Sequence, residues 1–218
     1  MQASPLRRFA STAASLAALA AAGPALAHPH VWVTVKSEIV YTAEGKVSGV
    51  RHSFVFDAAY SAFAVQGLDR NGDGKLSPDE LAELAKVNVE SLNEYGYFTT
   101  AKANGAKVQF SDPVDYGLTY ENKALNLTFT LPLKTPASGR ALALEVYDPT
   151  YFVAFAMAEG DDAVKLAGAP QGCAKTVTRP KPVDPAQQQN LSEAFFEALN
   201  ASSAFGQQFS NRVIVACP

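Results

Sequence analysis

The run Asp69-Arg70-Asn71-Gly72-Asp73-Gly74-Lys75-Leu76-Ser77-Pro78-Asp79-Glu80 carries oxygen donors at the spacing of an EF-hand calcium loop. Asp69, Asn71 and Asp73 stand at loop positions one, three and five and offer side-chain oxygens. Lys75 at seven offers its backbone carbonyl, Ser77 at nine binds directly or through water, and Glu80 at twelve is the expected bidentate carboxylate. Gly74 at six lets the chain turn with positive φ at little steric cost. Ser77-Pro78-Asp79-Glu80 also reads as a helix capping box with Pro at the first helical position. Leu81, Leu84, Ala85 and Leu92 follow as a helical apolar stripe. There is no second such loop. A lone loop in an exported protein points to a weak structural Ca2+ site, roughly in the 10⁻⁴–10⁻³ M range, rather than a sensor. The competing reading is a surface turn rich in Asp and Gly between two helices.

The second set of donors is nitrogen. The chain has 3 histidines, and two of them, His28 and His30, flank Pro29. Cleavage after Ala27 would place His28-Pro29-His30 at a new N-terminus, where an α-amine and two imidazoles are candidate ligands for Ni2+, Co2+, Cu2+ or Zn2+. Pro29 has no N–H, so a chelate through successive backbone amides is disfavoured and imidazole donors are favoured. Regular pairing of the first hairpin would set His30 opposite Asp57 or its neighbour, with His52 roughly 17 Å further along. Asp57 then becomes the partner for His30, as a ligand or as the acceptor that orients its ring. His52 shares a face with Val50, Phe54 and Phe56 and reads as a packed, hydrogen-bonded histidine. The competing reading for His28 and His30 is a solvated terminus beside a cleavage site.

The ends of the chain bound the setting. Arg7 and Arg8, the Ala-rich apolar stretch 9–22 and Ala25-Leu26-Ala27 have the form of a cleaved export signal over residues 1–27. The expected location is periplasmic, with residues 28–218 as one domain that carries an EF-hand-like insertion at 58–95. No segment after the signal is long and apolar enough to span a bilayer. Formal net charge is −3, or −5 once Arg7 and Arg8 leave with the signal, and no basic run stands out. Nucleic acid and anionic lipid are therefore poor partners. Cys173 and Cys217, the only cysteines, suggest one disulfide that ties the last strand to the body. A pair of soft metal ligands is the alternative.

The elements that must position these groups are mostly strands. From His30 to Tyr41, apolar Val31, Val33, Val35, Ile39 and Tyr41 alternate with Trp32, Thr34, Lys36 and Glu38, which predicts a strand with one buried face. A turn at 43–46 returns the chain as a strand over 47–56. A helix over 58–68 and the helix after Ser77 follow. Further strands are expected over 97–103, 107–110, 116–120, 125–131, 141–147, 151–157, 164–167, 174–178 and 212–217, with Asn104-Gly105 as a hairpin turn. A helix should start at Asp184-Pro185. The fold class is α+β: a mainly antiparallel β sandwich or bent sheet, with the inserted helix-loop-helix and a C-terminal helix.

His28-Pro29-His30-Val31-Trp32 behind a signal peptide, Phe54-Val55-Phe56-Asp57, the acidic loop, Tyr147-Asp148-Pro149-Thr150-Tyr151-Phe152 and Gly172-Cys173 together resemble one family. It is the uncharacterised bacterial family known as the periplasmic component of an ABC-type transport system, whose members tend to be encoded beside nickel/cobalt permeases. The resemblance covers essentially the whole mature chain. It implies metal handling outside the inner membrane, carried by His28, His30, Asp57 and Asp148. The function expected is a non-enzymatic metal-binding accessory protein for nickel/cobalt transport, with metal ions and an inner-membrane nickel/cobalt permease as partners. Two alternatives stand beside it: a calcium-stabilised β-domain with a scaffolding or adhesive role, and a copper histidine-brace redox protein. No Gly-x-Ser-x-Gly elbow or His-Glu-x-x-His helix supports a hydrolase.

Overall fold

The computed structural model describes residues 29–181 and 206–218. The expected export signal, His28 and the helix expected from Asp184 lie outside the described residues.

Strand β1 (Val31–Tyr41) buries every second residue, as its alternation demands. It turns through Thr42–Gly45 into β2 (Lys46–Phe56), its antiparallel partner. A bulge interrupts this hairpin: Tyr41 pairs with Val47 but Val40 pairs with Gly49, so Ser48 is skipped. Gly49 is needed there, because a Cβ would lie 2.7 Å from the Leu131 carbonyl oxygen. The extra residue shifts the far half of the hairpin, and Val33 faces Phe56. Asp57 therefore meets Trp32, giving a hydrogen bond from its N–H to the Trp32 carbonyl at 2.9 Å, and His30 lies further out.

Two helices follow. Helix α1 (Ala58–Ala64) is 7 residues long, and α2 (Pro78–Leu92) is 15. The first was expected to reach Leu68. It stops at Ala64, so this insertion is a short helix, a polar loop and a longer helix rather than a matched EF-hand pair. Helix α2 buries Leu81, Ala85 and Val89, one stripe at a spacing of four, and packs on β5 (Val114–Glu121). A 3₁₀ segment, Asn93–Phe98, replaces the start of the strand expected from Tyr97.

The remaining strands are β3 (Thr99–Ala103), β4 (Ala106–Lys107), β6 (Ala124–Ser138), β7 (Ala141–Val146), β8 (Val153–Met157), β9 (Val164–Ala167), β10 (Ala174–Thr178) and β11 (Asn211–Ala216). They form two sheets. One runs β5-β6-β2-β1-β8, with β9 also on β1; the other runs β10-β11-β7-β3-β4. Both β8 and β9 lie parallel to β1, so the first sheet is mixed rather than antiparallel. The buried faces of both sheets belong to one hydrophobic cluster that includes Val33, Phe54, Phe129, Leu144 and Val213. Among the described residues the architecture is α+β, two sheets and two α-helices.

Two polar devices hold the sheets in place. Cys173 and Cys217 form a disulfide one residue beyond the Ala174–Ala216 pair, which closes the end of the β10–β11 ladder. Fully buried Asn211 links the sheets. Its Oδ1 accepts from Met157 N at 2.8 Å, and its Nδ2 donates to Phe155 O at 2.8 Å and Val146 O at 3.3 Å. Asn211→Ala should cost about 2–3 kcal/mol, since three buried backbone groups lose their partner. Chemical denaturation would check this, and a loss below about 1 kcal/mol would mean that water or relaxation replaces the bridge.

Candidate functional site

The donors singled out at the head of the first hairpin come to one end of the first sheet, and each is engaged there. The His30 N–H donates to the Phe152 carbonyl at 2.9 Å, and its ring lies 4.6 Å from that of Phe152. Asp57 is the N-cap of α1: Oδ1 accepts from Ala59 N and Tyr60 N, both at 2.9 Å, while Oδ2 accepts from Trp32 N at 3.0 Å. One carboxylate thus starts the helix and anchors β1. Asp148 is buried. Its Oδ1 accepts from Thr150 N and Thr150 Oγ1 at 2.8 Å, and Oδ2 accepts from Val153 N at 2.9 Å, which organises the turn into β8.

The acidic loop also closes on itself. Asp69 Oδ1 accepts from Gly72 N and Asp73 N, and Oδ2 from Gly74 N at 3.0 Å. Asn71 Oδ1 accepts from Asp73 N at 2.9 Å, and Asp73 Oδ1 from Lys75 N at 2.8 Å. Glu80 completes the capping box, its Oε2 accepting from Ser77 N and Ser77 Oγ, and its Oε1 reaches back to Arg70 N at 2.9 Å. These bonds, those from Ser77 first, hold the Glu80 carboxyl down at about 2.

Two expectations are corrected here. Among the described residues, no group of three or more His, Cys, Asp or Glu side chains is gathered to hold a metal ion. The Ca2+ site at Asp69, Asn71, Asp73, Lys75, Ser77 and Glu80 is therefore overturned. So is the Ni2+, Co2+, Cu2+ or Zn2+ site at His30, Asp57 and Asp148, with His28 outside the described residues. Metal ions and a nickel/cobalt permease fall as partners with them. The physical reason is shared: these carboxylates are turned onto backbone N–H groups, which take the place that a cation would occupy. Among the described residues, no helix is long and apolar enough to cross a membrane.

His52 is sealed in the core, as its position between Val50 and Phe54 predicted. It is 1% exposed, with ring centroids 5.2 Å from Phe54 and 5.4 Å from Phe129. Its bonds fix its tautomer. Thr99 Oγ1 donates to the Tyr97 carbonyl at 2.8 Å, so it accepts from Nε2–H of His52 at 3.3 Å. Nδ1 is then bare and accepts from the Ser37 hydroxyl at 2.9 Å. Burial lowers the imidazole from 6.5 to about 3.

What this end of the molecule does offer is a cleft of about 450 Å³ between the head of β1, the C-terminal half of α2 and the 3₁₀ segment. Rings line it in succession. Phe56 stacks on Tyr60 at 4.8 Å, Phe54 meets Phe155 at 5.2 Å, Phe155 meets Phe98 at 5.0 Å, and Phe98 stacks on Tyr95 at 5.2 Å. The polar groups are the Tyr60 hydroxyl, which donates to Asn88 Oδ1 at 3.3 Å, Ser91 at the rim, and Thr150 with Asp148, whose carboxylate is already held by Thr150 and the Val153 N–H. Burial, then the Asp57 charge, pushes the Tyr60 phenol further above its ordinary value.

The wall at Gly96–Phe98 is strained. Gly96, Tyr97 and Phe98 have φ of 57°, 56° and 51°. The left-handed region costs a non-glycine residue roughly 1–3 kcal/mol. Here the Thr99 hydroxyl holds the Tyr97 carbonyl, and Tyr147 N–H holds that of Phe98 at 3.1 Å. The His52–Thr99 chain thus ties the core to the cleft wall. Sequence reading missed this cleft; its only trace was the recurrence of aromatic residues at 54–60, 95–98 and 151–155.

Fold and site together define an α+β domain with an aromatic-lined cleft at one end. The chain belongs to a family described as Protein of unknown function (DUF1007), whose pattern matches residues 13–217. It is similar to an "Uncharacterized protein" of Haemophilus influenzae, 24% identical over 195 residues that span 88% of this chain and 92% of that one. It is also similar to the "Uncharacterized 15.5 kDa protein in trpE 3'region" of Spirochaeta aurantia. That match is 31% identical over 94 residues, 40% of this chain and 64% of the relative.

Proposed function

We propose that this protein is an exported, non-catalytic binding domain whose aromatic cleft takes a small, neutral, largely apolar ligand. The observation that carries the reading is the cleft itself. Its volume of about 450 Å³ lies within the range of small-molecule sites, and its lining of Phe54, Phe56, Tyr60, Tyr95, Phe98 and Phe155 suits a flat or aliphatic body. The Tyr60–Asn88 pair offers one directional contact to an otherwise apolar guest. A strained wall held by buried hydrogen bonds is also how a preformed site is kept open.

The non-catalytic part of the proposal rests on where the reactive groups have gone. The imidazole of His52 is enclosed between Phe54 and Phe129, and the carboxylates of Asp57 and Asp148 are spent on backbone N–H groups. Export to the periplasm is supported by the leader-like residues 1–27 and by a disulfide, a bond that persists in oxidising compartments.

A neutral fluorescent probe, N-phenyl-1-naphthylamine, tests the cleft. It should brighten on binding. Ser91→Arg, which places a long charged side chain at the rim without touching the buried stripe of α2, should weaken binding by about tenfold or more. Absence of binding, or equal affinity in the Ser91→Arg protein, would remove this reading.

A further inference from the structure

On the other side of the strained turn lies a second hollow of about 530 Å³, lined by Lys107, Lys134, Tyr97, Tyr147 and Phe110 among others. Its charges are arranged in an unusual way. Lys102 on β3 pairs directly with Lys107 on β4 in the antiparallel ladder. Like charges directly opposite one another destabilise a sheet. Beyond β4 the chain stays extended: Phe110 bridges Leu133, and Lys134 N–H donates to the Gln109 carbonyl at 2.9 Å. Lys107 and Lys134 thus both line the same hollow, and Lys102 lines an adjoining one that shares Lys107.

No salt bridge among the described residues includes Lys102, Lys107 or Lys134. Asp112 does lie near the hollow's wall, where burial, then the Asp112 charge, raises the Tyr97 phenol. Glu145, the acid that lines the adjoining hollow, is held by Arg212 at 2.5 Å. In a chain of net charge −3, a local excess of cations over a concave, ring-lined surface is a specific feature rather than a reflection of composition.

We infer that this hollow is a binding site for a small aromatic carboxylate. The carboxylate would sit between Lys107 and Lys134 and relieve the repulsion across the β3–β4 pair, while the ring would lie against Tyr147 and Phe110. The site is separate from the neutral cleft in charge and in most of its lining, although Tyr95 and Phe98 border both.

Titration of the disulfide-bonded protein with benzoate, followed by calorimetry and amide chemical shifts, tests the inference. Inorganic phosphate (charge without a ring) and benzyl alcohol (a ring without charge) are the comparisons. Benzoate should bind, more tightly than either, and its affinity should fall as sodium chloride rises. Lys107→Gln should weaken it about tenfold or more, a loss typical of a charged hydrogen-bond partner. Ser91→Arg should leave it unchanged, which separates this site from the neutral cleft. Without ligand, Lys102→Gln should raise Tm by about 1–3 °C by removing the like-charge pair. Phosphate binding as tightly as benzoate, equal benzoate affinity in the Lys107→Gln protein, or a Tm that falls in Lys102→Gln would each overturn the proposal.

Discussion

Between about pH 7 and pH 3 the protein should lose roughly 3–5 kcal/mol of unfolding free energy through His52 alone. The ring is neutral in the fold and held at about 3, against 6.5 when free. In that window the unfolded chain binds a proton that the folded chain refuses, so unfolding gains as pH falls. The stabilisation is complete above 6.5 and is lost progressively down to about 3. Protonation would place a charge between Phe54 and Phe129, where the Ser37 hydroxyl now donates to Nδ1 and would have to turn round to accept. The carboxyl of Glu80 acts lower, because its fall from 4.5 to about 2 matters only below 4.5. Stability measured by urea unfolding from about pH 7 to about pH 5 therefore reads His52 with little interference from that group. His52→Gln keeps a polar partner for Ser37 but cannot take the proton. It should be less stable than the parent at about pH 7 by about 1–3 kcal/mol, and its stability should be nearly flat down to about pH 5. A parent protein whose stability does not change over that range would show that the ring is reached by water.

Reduction of the Cys173–Cys217 bond is the second large effect. The cysteines are separated by 44 residues. Releasing a loop of that length from the unfolded chain costs the folded state about 4 kcal/mol on the chain-entropy account. For a domain of this size that corresponds to a Tm lower by about 8–16 °C. The bond also clamps the end of the β10–β11 ladder, and β11 carries Asn211, so fraying from this end would reach the inter-sheet bridge. The Cys173→Ser, Cys217→Ser double variant, melted beside the parent with and without reductant, supplies the measurement. The parent with reductant should match the variant. A shift of less than about 2 °C would mean that the pairing of β10 with β11 and of β11 with β7 suffices without the bond.

Local pattern carried much of this architecture. Alternation defined β1, because a strand with one buried face cannot hide its period. The limits of β9 and β10 also agree with those expected. The capping residues placed the start of α2, since Ser77 and Glu80 accept from N–H groups that any helix start exposes and Pro78 has none to expose. His52 was legible as a core residue because its neighbours at 50 and 54 share its face. Even the disulfide could be read, from two cysteines with no third to compete.

Most of what escaped depends on two distant segments meeting. Oxygen donors spaced for a cation were equally well spaced to accept from their own backbone, and one dimension does not distinguish the two uses. Asp57 appeared as the partner of His30, a metal ligand beside it or the acceptor that orients its ring; the bulge at Val40–Gly49 moved the hairpin on and gave it Trp32 N–H and the start of α1 instead. The run Tyr97-Phe98 looks like strand, because aromatic residues favour it. The surrounding bonds from Thr99 and Tyr147 impose a left-handed turn, and that turn divides the two clefts. Periodicity reports which side of an element meets water. Which rings face each other across a gap, and which lysines are left without a salt bridge, is decided by register and by the packing of one sheet on the other.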